Sequence, residues 1–362
     1  PGAHDGARQG GRRAPFGRVR MSGVDLPLED LGLDLEANID GFRKLRYIDK
    51  FPGGQSNPTY RLTADSGNYV LRRKPFGELL KSAHAVEREF LVMRALAESD
   101  VPVPRMLHLC EDDDVIGATF FIMDFIHARH FWDPSLPELD NSGRAAIYDE
   151  MNRVLAALHT VDVDAIGLTD FGHPGNYFER QVARWTKQYR ASETDTIAAM
   201  DALIDWLPAN TPPDDGRVSL IHGDYRLDNL LFAEGSDHIT AVLDWELSTL
   251  GHPFADLAYQ CMQLRMPADS PVKGLAGLDR GALGIPDESA YVERYCERTG
   301  IGTIPDWAFC LAFSFFRLAA ILQGVKKRAL DGNASSTKAL EYGAYTASLA
   351  AMGLRLVEGK DA

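Results

Sequence analysis

The stretch LIHGDYRLDNLLFAEGSDHITAVLDWELSTLGHP, Leu220 to Pro253, sets carboxylates and one amide among short apolar runs and holds no cysteine. Asp224, Asn229 and Asp244 carry hard oxygen donors of the kind Mg²⁺ takes. Three readings fit the set: a metal site, a charged turn cluster, or a phosphoryl-transfer centre. The last needs a base for an acceptor hydroxyl and charge to neutralise phosphate oxygens. The plain alternative is a group of Asx residues capping the loops ahead of strands.

The surrounding pattern positions these groups. NLLF and ITAVLDW are short apolar runs separated by AEGSDH, which predicts a hairpin. Asp224 and Asn229 precede its first strand and Asp244 ends its second, so pairing brings all three together. Upstream, Thr59 to Arg73 predicts a second hairpin around TADSG. From His84 to Leu96, apolar Val86, Phe90, Met93 and Leu96 follow a helical spacing, stopped by VPVP. In FPGGQSNPTYRL, Gly53, Gly54, Gln55, Ser56 and Asn57 form a turn whose glycines permit close backbone approach to phosphate. Taken alone, a Gly-Gly turn is only a turn.

Beyond Phe125 the texture becomes helical. Ile147, Met151, Val154, Leu155 and Leu158 share one stripe, and FERQVARWTKQY continues the pattern before the Pro-rich PANTPPDDG. The fold class predicted is α+β, with a small β-rich lobe, a larger helical lobe and a cleft between them. No internal repeat is present.

Composition sets the outer bounds. The chain has 362 residues, 45% of them hydrophobic, and a net charge of −14, which argues against a nucleic-acid partner. Cys110, Cys261, Cys296 and Cys310 form no C-x-x-C pair and read as reduced thiols in a cytoplasmic setting. The opening PGAHDGARQGGRRAPFGRVR shows no secretory signal and reads as disordered, with Met21 as an alternative start. The apolar run WAFCLAFSFFRLAAILQGV carries Arg317 and Gln323, costly in lipid, so it reads as a buried helix and no membrane is expected.

With its neighbours in place, His222-x-Asp224-x-x-x-x-Asn229 resembles the catalytic loop of the aminoglycoside phosphotransferase and choline kinase-like enzymes. Their fold is two-lobed and protein-kinase-like. Asp244 in VLDWE is similar to the metal-binding Asp of the kinase D-F-G motif, and Asp256 in HPFADLAY to the Asp that braces the catalytic loop. The resemblance implies a division into a segment 1–21, an N-lobe 22–125 and a C-lobe 126–362. It also implies ATP and Mg²⁺ as cofactors, with Asp224 as base, His222 as its brace, and Asn229 and Asp244 on the metal. Gly53 to Asn57 would then be the phosphate loop.

The strand lysine of a kinase maps onto Arg72, with Lys74 as the fallback, and its helix glutamate onto Glu89. Arg keeps the charge but reaches differently from Lys. FFIMDFIHA resembles the interlobe hinge, placing Met123 behind the adenine and Asp124, Phe125 and Ile126 along its edge. Asp228 and Glu246 read equally as solvated or supporting groups. His127 and His130 lack the partner cluster a metal would need.

The acidic balance suits a cationic acceptor such as an aminoglycoside. Yet GGQSNPTYRL, YVLRRKP, RWTKQY, HGDYRLDNLLF and FRLAAILQGVKKR are similar to the kinase-like domain fused to certain acyl-CoA dehydrogenases. That resemblance implies phosphorylation of a hydroxyacyl-CoA, for instance a 4-hydroxyacyl thioester. An anionic acceptor calls for cations, so Arg184, Lys187, Arg317 and Lys327 are expected on its route, with Arg180, Lys326 and Arg328 as further candidates. Within these 362 residues the kinase-like fold leaves no room for a flavin-binding domain. The reading from another class is a nucleotide-binding module without transfer. Arg72 leans toward it, and the intact Asp224, Asn229 and Asp244 lean against it.

Overall fold

TYRLTA alternates buried and part-buried residues, NYVLRR buries Val70 and Leu71 on opposite faces, and the two pair edge to edge as the centre of a six-stranded sheet. The computed structural model describes residues 20–21, 26–51, 57–76, 85–332 and 338–360. Its first sheet has the order β1-β2-β3-β4-β6-β5. The strands are β1 (Arg20–Met21), β2 (Leu45–Lys50), β3 (Thr59–Ala64), β4 (Gly67–Arg73), β5 (Met106–Cys110) and β6 (Phe120–Asp124). All neighbours pair antiparallel except β1 with β2. Arg20 and Met21, expected at the end of a disordered segment, therefore form a short parallel strand; residues 1–19 lie outside the described residues.

The two faces of this sheet serve different ends. Helix α1 (Leu28–Asn38) sets Leu31 and Leu35 against Leu62, Leu71 and Ile122. On the other face, α2 (Val86–Leu96) sets Phe90 and Met93 among Val70, Phe121 and Met123. Side chains alternate along a strand, so Arg72, two residues from Val70, points to the α2 face. This alternation is what delivers Arg72 to Glu89.

The larger lobe follows the short α3 (Asp113–Ile116) and β7 (Arg129–His130). It contains α4 (Asn141–His159), α5 (Tyr177–Ser192), α6 (Ala198–Ala209), α7 (Phe254–Arg265), α8 (Arg280–Leu283), α9 (Glu288–Thr299), α10 (Trp307–Leu330), α11 (Ala339–Ala344) and α12 (Thr346–Val357). The predicted stripe of α4 is buried throughout, and Asp140 caps its start by accepting from Gly143 N at 2.8 Å. Pro208 falls in the last turn of α6 and not in a loop as the Pro-rich text suggests.

Two small sheets sit at the lobe junction: β8 (Ser219–Ile221) with β11 (Thr249–Gly251), and β7 with the hairpin β9 (Leu230–Phe232) and β10 (Ile239–Val242). Helix α10 is long and apolar enough to cross a membrane by length and composition, and 83% of its most apolar window is buried within the protein. Its buried polar donors find acceptors there. Gln323 Nε2 donates to Ser192 O at 2.7 Å, and Arg317 donates to Gly223 O.

Candidate active site

The loop after β8 is held from beneath by one buried carboxylate. Asp256, in the first turn of α7 and 0% exposed, accepts from His222 N at 2.6 Å and Gly223 N at 2.9 Å. His159 Nε2 lies 3.5 Å from the same carboxylate, and its Nδ1 is 2.7 Å from the Tyr295 hydroxyl. Burial works to raise the Asp256 carboxyl, but His159, His222 and the backbone donors hold it below the usual carboxylate range. Gly223 has φ +85°, and a Cβ there would meet Leu247 O at 2.6 Å, so only glycine fits this turn.

His222 is fully engaged as a brace. Its Nδ1 accepts from Asp224 N at 3.2 Å and its Nε2 lies 2.8 Å from Leu243 O. That pairing requires a proton on Nε2 and none on Nδ1, which leaves the ring no lone pair for a substrate proton.

The turn Leu227–Asn229 swings the Asn229 amide back onto Asp224, reaching O at 2.9 Å and Oδ2 at 3.1 Å. Leu243 N donates to Asn229 O at 2.9 Å, so Asp244 arrives beside Asn229 as the hairpin pattern predicts. Asp244 has φ +64°, a left-handed conformation that Asp tolerates, and it turns the chain out of β10. Asp224 is part-buried. Burial acts to raise its carboxyl, but Arg226, Arg317 and the Tyr259 hydroxyl outweigh this and hold it low.

Arg72 closes the site from the smaller lobe. Its guanidinium lies 3.0 Å from Glu89, 2.7 Å from Asp244 Oδ1 and 3.7 Å from Glu246. Burial opposes its charge, yet Glu89, Asp244 and Glu246 together push its pKa above the usual arginine value. Asn57 Nδ2 donates to Glu89 at 2.9 Å. Lys74, the fallback, pairs instead with Glu87 at 2.9 Å. Gly53, Gly54, Gln55 and Ser56 lie outside the described residues.

Along the hinge, Met123 is buried and Asp124 N donates to Arg105 O at 3.0 Å. Arg61 stacks over the Phe125 ring at 4.7 Å, and Ile126 follows in the linking strand-free segment.

The cations expected on the acceptor route fall mostly elsewhere. Lys187 lines a separate cavity between α5, α6 and the start of α10. Arg184 sits over its neighbour Trp185, and Lys327 pairs with Asp331 one turn on. Arg317 is buried, 5.0 Å from the Tyr259 ring, and holds the loop from behind. What lines the cleft, a space of about 600 Å³, is Arg226, Tyr259 and Lys273, with Leu318, Ile321, Leu322, Val325 and Arg328 from α10. Arg226, 3.4 Å from Asp224 and 2.7 Å from Asp228, was legible from its place two residues after Asp224, yet spacing alone did not single it out.

Comparison with known proteins agrees with this geometry. The model of the phosphotransferase enzyme family matches residues 48–310. Acyl-CoA dehydrogenase family member 10 of Mus musculus is 52% identical over 302 residues, 83% of this chain and 28% of that protein. The chain spans from 28% to 43% of the length of the acyl-CoA dehydrogenase relatives it matches. A solved chain from Ralstonia eutropha, named as a candidate aminoglycoside phosphotransferase, is 51% identical with a TM-score of 0.84, covering 92% of this chain and 99% of its own. A thermostable APH(4)-Ia variant, solved with ADP and hygromycin B, covers 90% of this chain and 97% of its own at 17% identity and TM-score 0.59, a likeness of fold alone. The family model, the curated relatives and the solved structure agree: the chain belongs to the phosphotransferase enzyme family of small-molecule kinases, with their two-lobed, protein-kinase-like fold.

Proposed function

We propose that the chain is an ATP- and Mg²⁺-dependent kinase that phosphorylates the hydroxyl of a hydroxyacyl-CoA. The observation that carries this reading is the two-sided character of the cleft around Asp224. One side is charged, with Arg72, Asp228, Asp244 and Glu246; the other is an apolar wall ending in cations. On α10, Leu318, Ile321, Leu322 and Val325 share a face and lead to Arg328, with Val272, Lys273 and Lys338 opposite. An acyl chain fits such a wall and an anionic thioester carrier fits its basic end. A polycationic aminoglycoside would pair with the carboxylates of the charged side but not with this wall or its basic end.

The donor set fits a hard cation. Two carboxylates and an amide are all oxygen donors, and the one nearby imidazole, His222, is already engaged. Asn229 and Asp244 would hold the ion. When bound, Mg²⁺ with ATP supplies the transferable phosphoryl group and neutralises charge on its oxygens. The ADP in the APH(4)-Ia complex supports the nucleotide part of this reading.

The protein's own groups do the rest. Asp224, held ionised by Arg226, takes the proton of the acceptor hydroxyl. Asn229 fixes the orientation of that carboxylate through its amide. Arg72 stands where phosphate oxygens arrive, releasing Asp244 as it engages them. The apolar wall excludes water, which favours transfer over hydrolysis.

An acceptor panel under Mg-ATP tests the reading: hydroxyacyl-CoAs, aminoglycosides, choline-like alcohols and small sugars, followed by ADP release. ADP release with hydroxyacyl-CoAs is expected, and activity confined to aminoglycosides overturns it. Arg328→Ala should raise KM for the acyl-CoA about fivefold, an exposed charge contact of ~1 kcal/mol, with kcat unchanged. An unchanged KM removes Arg328 from the acceptor route.

A further inference from the structure

On the face of the N-lobe sheet away from Arg72, a histidine, a cysteine and an aspartate meet. His108 and Cys110 come from β5 and Asp34 from α1, and their donor atoms all lie within 4.8 Å of one another. Asp34 Oδ2 is 3.1 Å from His108 Nε2. Cys110 is 5% exposed, in the core layer beneath α1. We propose that Asp34, His108 and Cys110 form a zinc site that staples α1 to β5.

The backbone is shaped for this meeting. Met106 packs toward the α2 face, and strict alternation would send His108 the same way. The register of β5 on β6 instead shifts between Met106 and His108, a bulge that turns His108 onto the face of Cys110. The carboxylate is also oriented from outside. Asn38 Nδ2 donates to Asp34 Oδ1 at 2.9 Å, leaving Oδ2 directed at His108, the arrangement that outer partners impose on metal ligands.

The donor chemistry chooses the metal. Thiolate, imidazole and carboxylate together suit Zn²⁺, whereas Mg²⁺ takes oxygen alone. At zinc–ligand lengths of about 2.0–2.3 Å, tetrahedral donors stand roughly 3.3–3.8 Å apart. The His108–Asp34 pair is already within that reach, and the sulfur needs a side-chain adjustment of about an ångström. Asp112 and Asp113, shortly after the strand, add negative charge that favours a cation. Three protein ligands leave a fourth position for water. Its proposed role is to tie α1 to β5, since it lies on the opposite face of the sheet from Arg72 and the cleft.

Cobalt tests this on the full chain, reduced and chelator-treated, with Mg²⁺ in excess to occupy the cleft. About one equivalent of Co²⁺ should bind and give near-ultraviolet thiolate-to-cobalt absorption, displaced by Zn²⁺. Cys110→Ser and His108→Ala should abolish that absorption, and Asp244→Asn should retain it. Asn38→Ala, on the surface, should weaken Zn²⁺ binding by about 10- to 100-fold without touching a ligand. The proposal is overturned if no thiolate absorption appears, or if it persists in Cys110→Ser. Either result leaves a hydrogen-bonded His108–Asp34 pair beside a buried thiol.

Discussion

Asp224→Asn is expected to lower the rate of phosphoryl transfer by about 10²- to 10⁴-fold, the range that general-base groups contribute. The amide has nearly the shape of the carboxylate and still meets the Asn229 side chain, so the loop keeps its path. What disappears is the ability to take a proton. Arg226 retains Asp228 at 2.7 Å and is not left without an anion. Nucleotide affinity should stay close to wild type, because Arg72, Asn229 and Asp244 are untouched. Single-turnover transfer and calorimetric nucleotide binding separate the two effects. Normal transfer by this variant would show that another group receives the proton.

Asp256→Ala should be the most damaging single change to stability. It strips partners from His222 N, Gly223 N and His159 at once, all inside the protein. Breaking a buried network of this kind costs about 3–5 kcal/mol, against a total stability of roughly 5–15 kcal/mol for a typical domain. A fall in the urea midpoint with unchanged slope is the measurement. The pH dependence has a definite sign. The folded-state carboxyl sits below its ordinary value, so its contribution is full above the unfolded pKa of about 3.9. It is lost as pH falls through the lower folded value. The gap between wild type and Asp256→Ala should therefore be constant near neutrality and narrow in strong acid. A gap that widens on acidification would show that Asp256 is not held as an anion.

The parts of the site carried by local pattern were legible in the sequence. Short strand-like runs separated by turn-rich segments gave away both hairpins, and hairpin pairing was enough to bring Asp244 to Asn229. Glu89 followed from the resemblance to the kinase helix glutamate; β4 alternation puts Arg72 on the α2 face where it meets Glu89, and Lys74, just past the strand end, pairs with Glu87. Residues that converge from distant helices were harder to see. Tyr259 and Arg317 reach Asp224 from α7 and α10, and no spacing within the loop announces them.

The misplaced cations show what helical phase decides. Lys327 and Arg328 are adjacent in sequence and about 100° apart around α10. Arg328 shares the face of Leu318, Ile321, Leu322 and Val325 and reaches the cleft, whereas Lys327 turns to Asp331. Lys187 fails for a similar reason, since Val182, Ala183 and Thr186 carry it toward a different cavity. The Asp34–His108–Cys110 cluster needed a β-bulge to assemble, and a bulge has no sequence period.

Phosphorus NMR of the protein with Mg-ATP and a 4-hydroxyacyl-CoA tests the central claim most directly. The account predicts a new phosphate monoester on the acyl hydroxyl, with ADP formed in equal amount, and neither product with Asp224→Asn. Tight nucleotide binding without a monoester on any hydroxylated acceptor would contradict it.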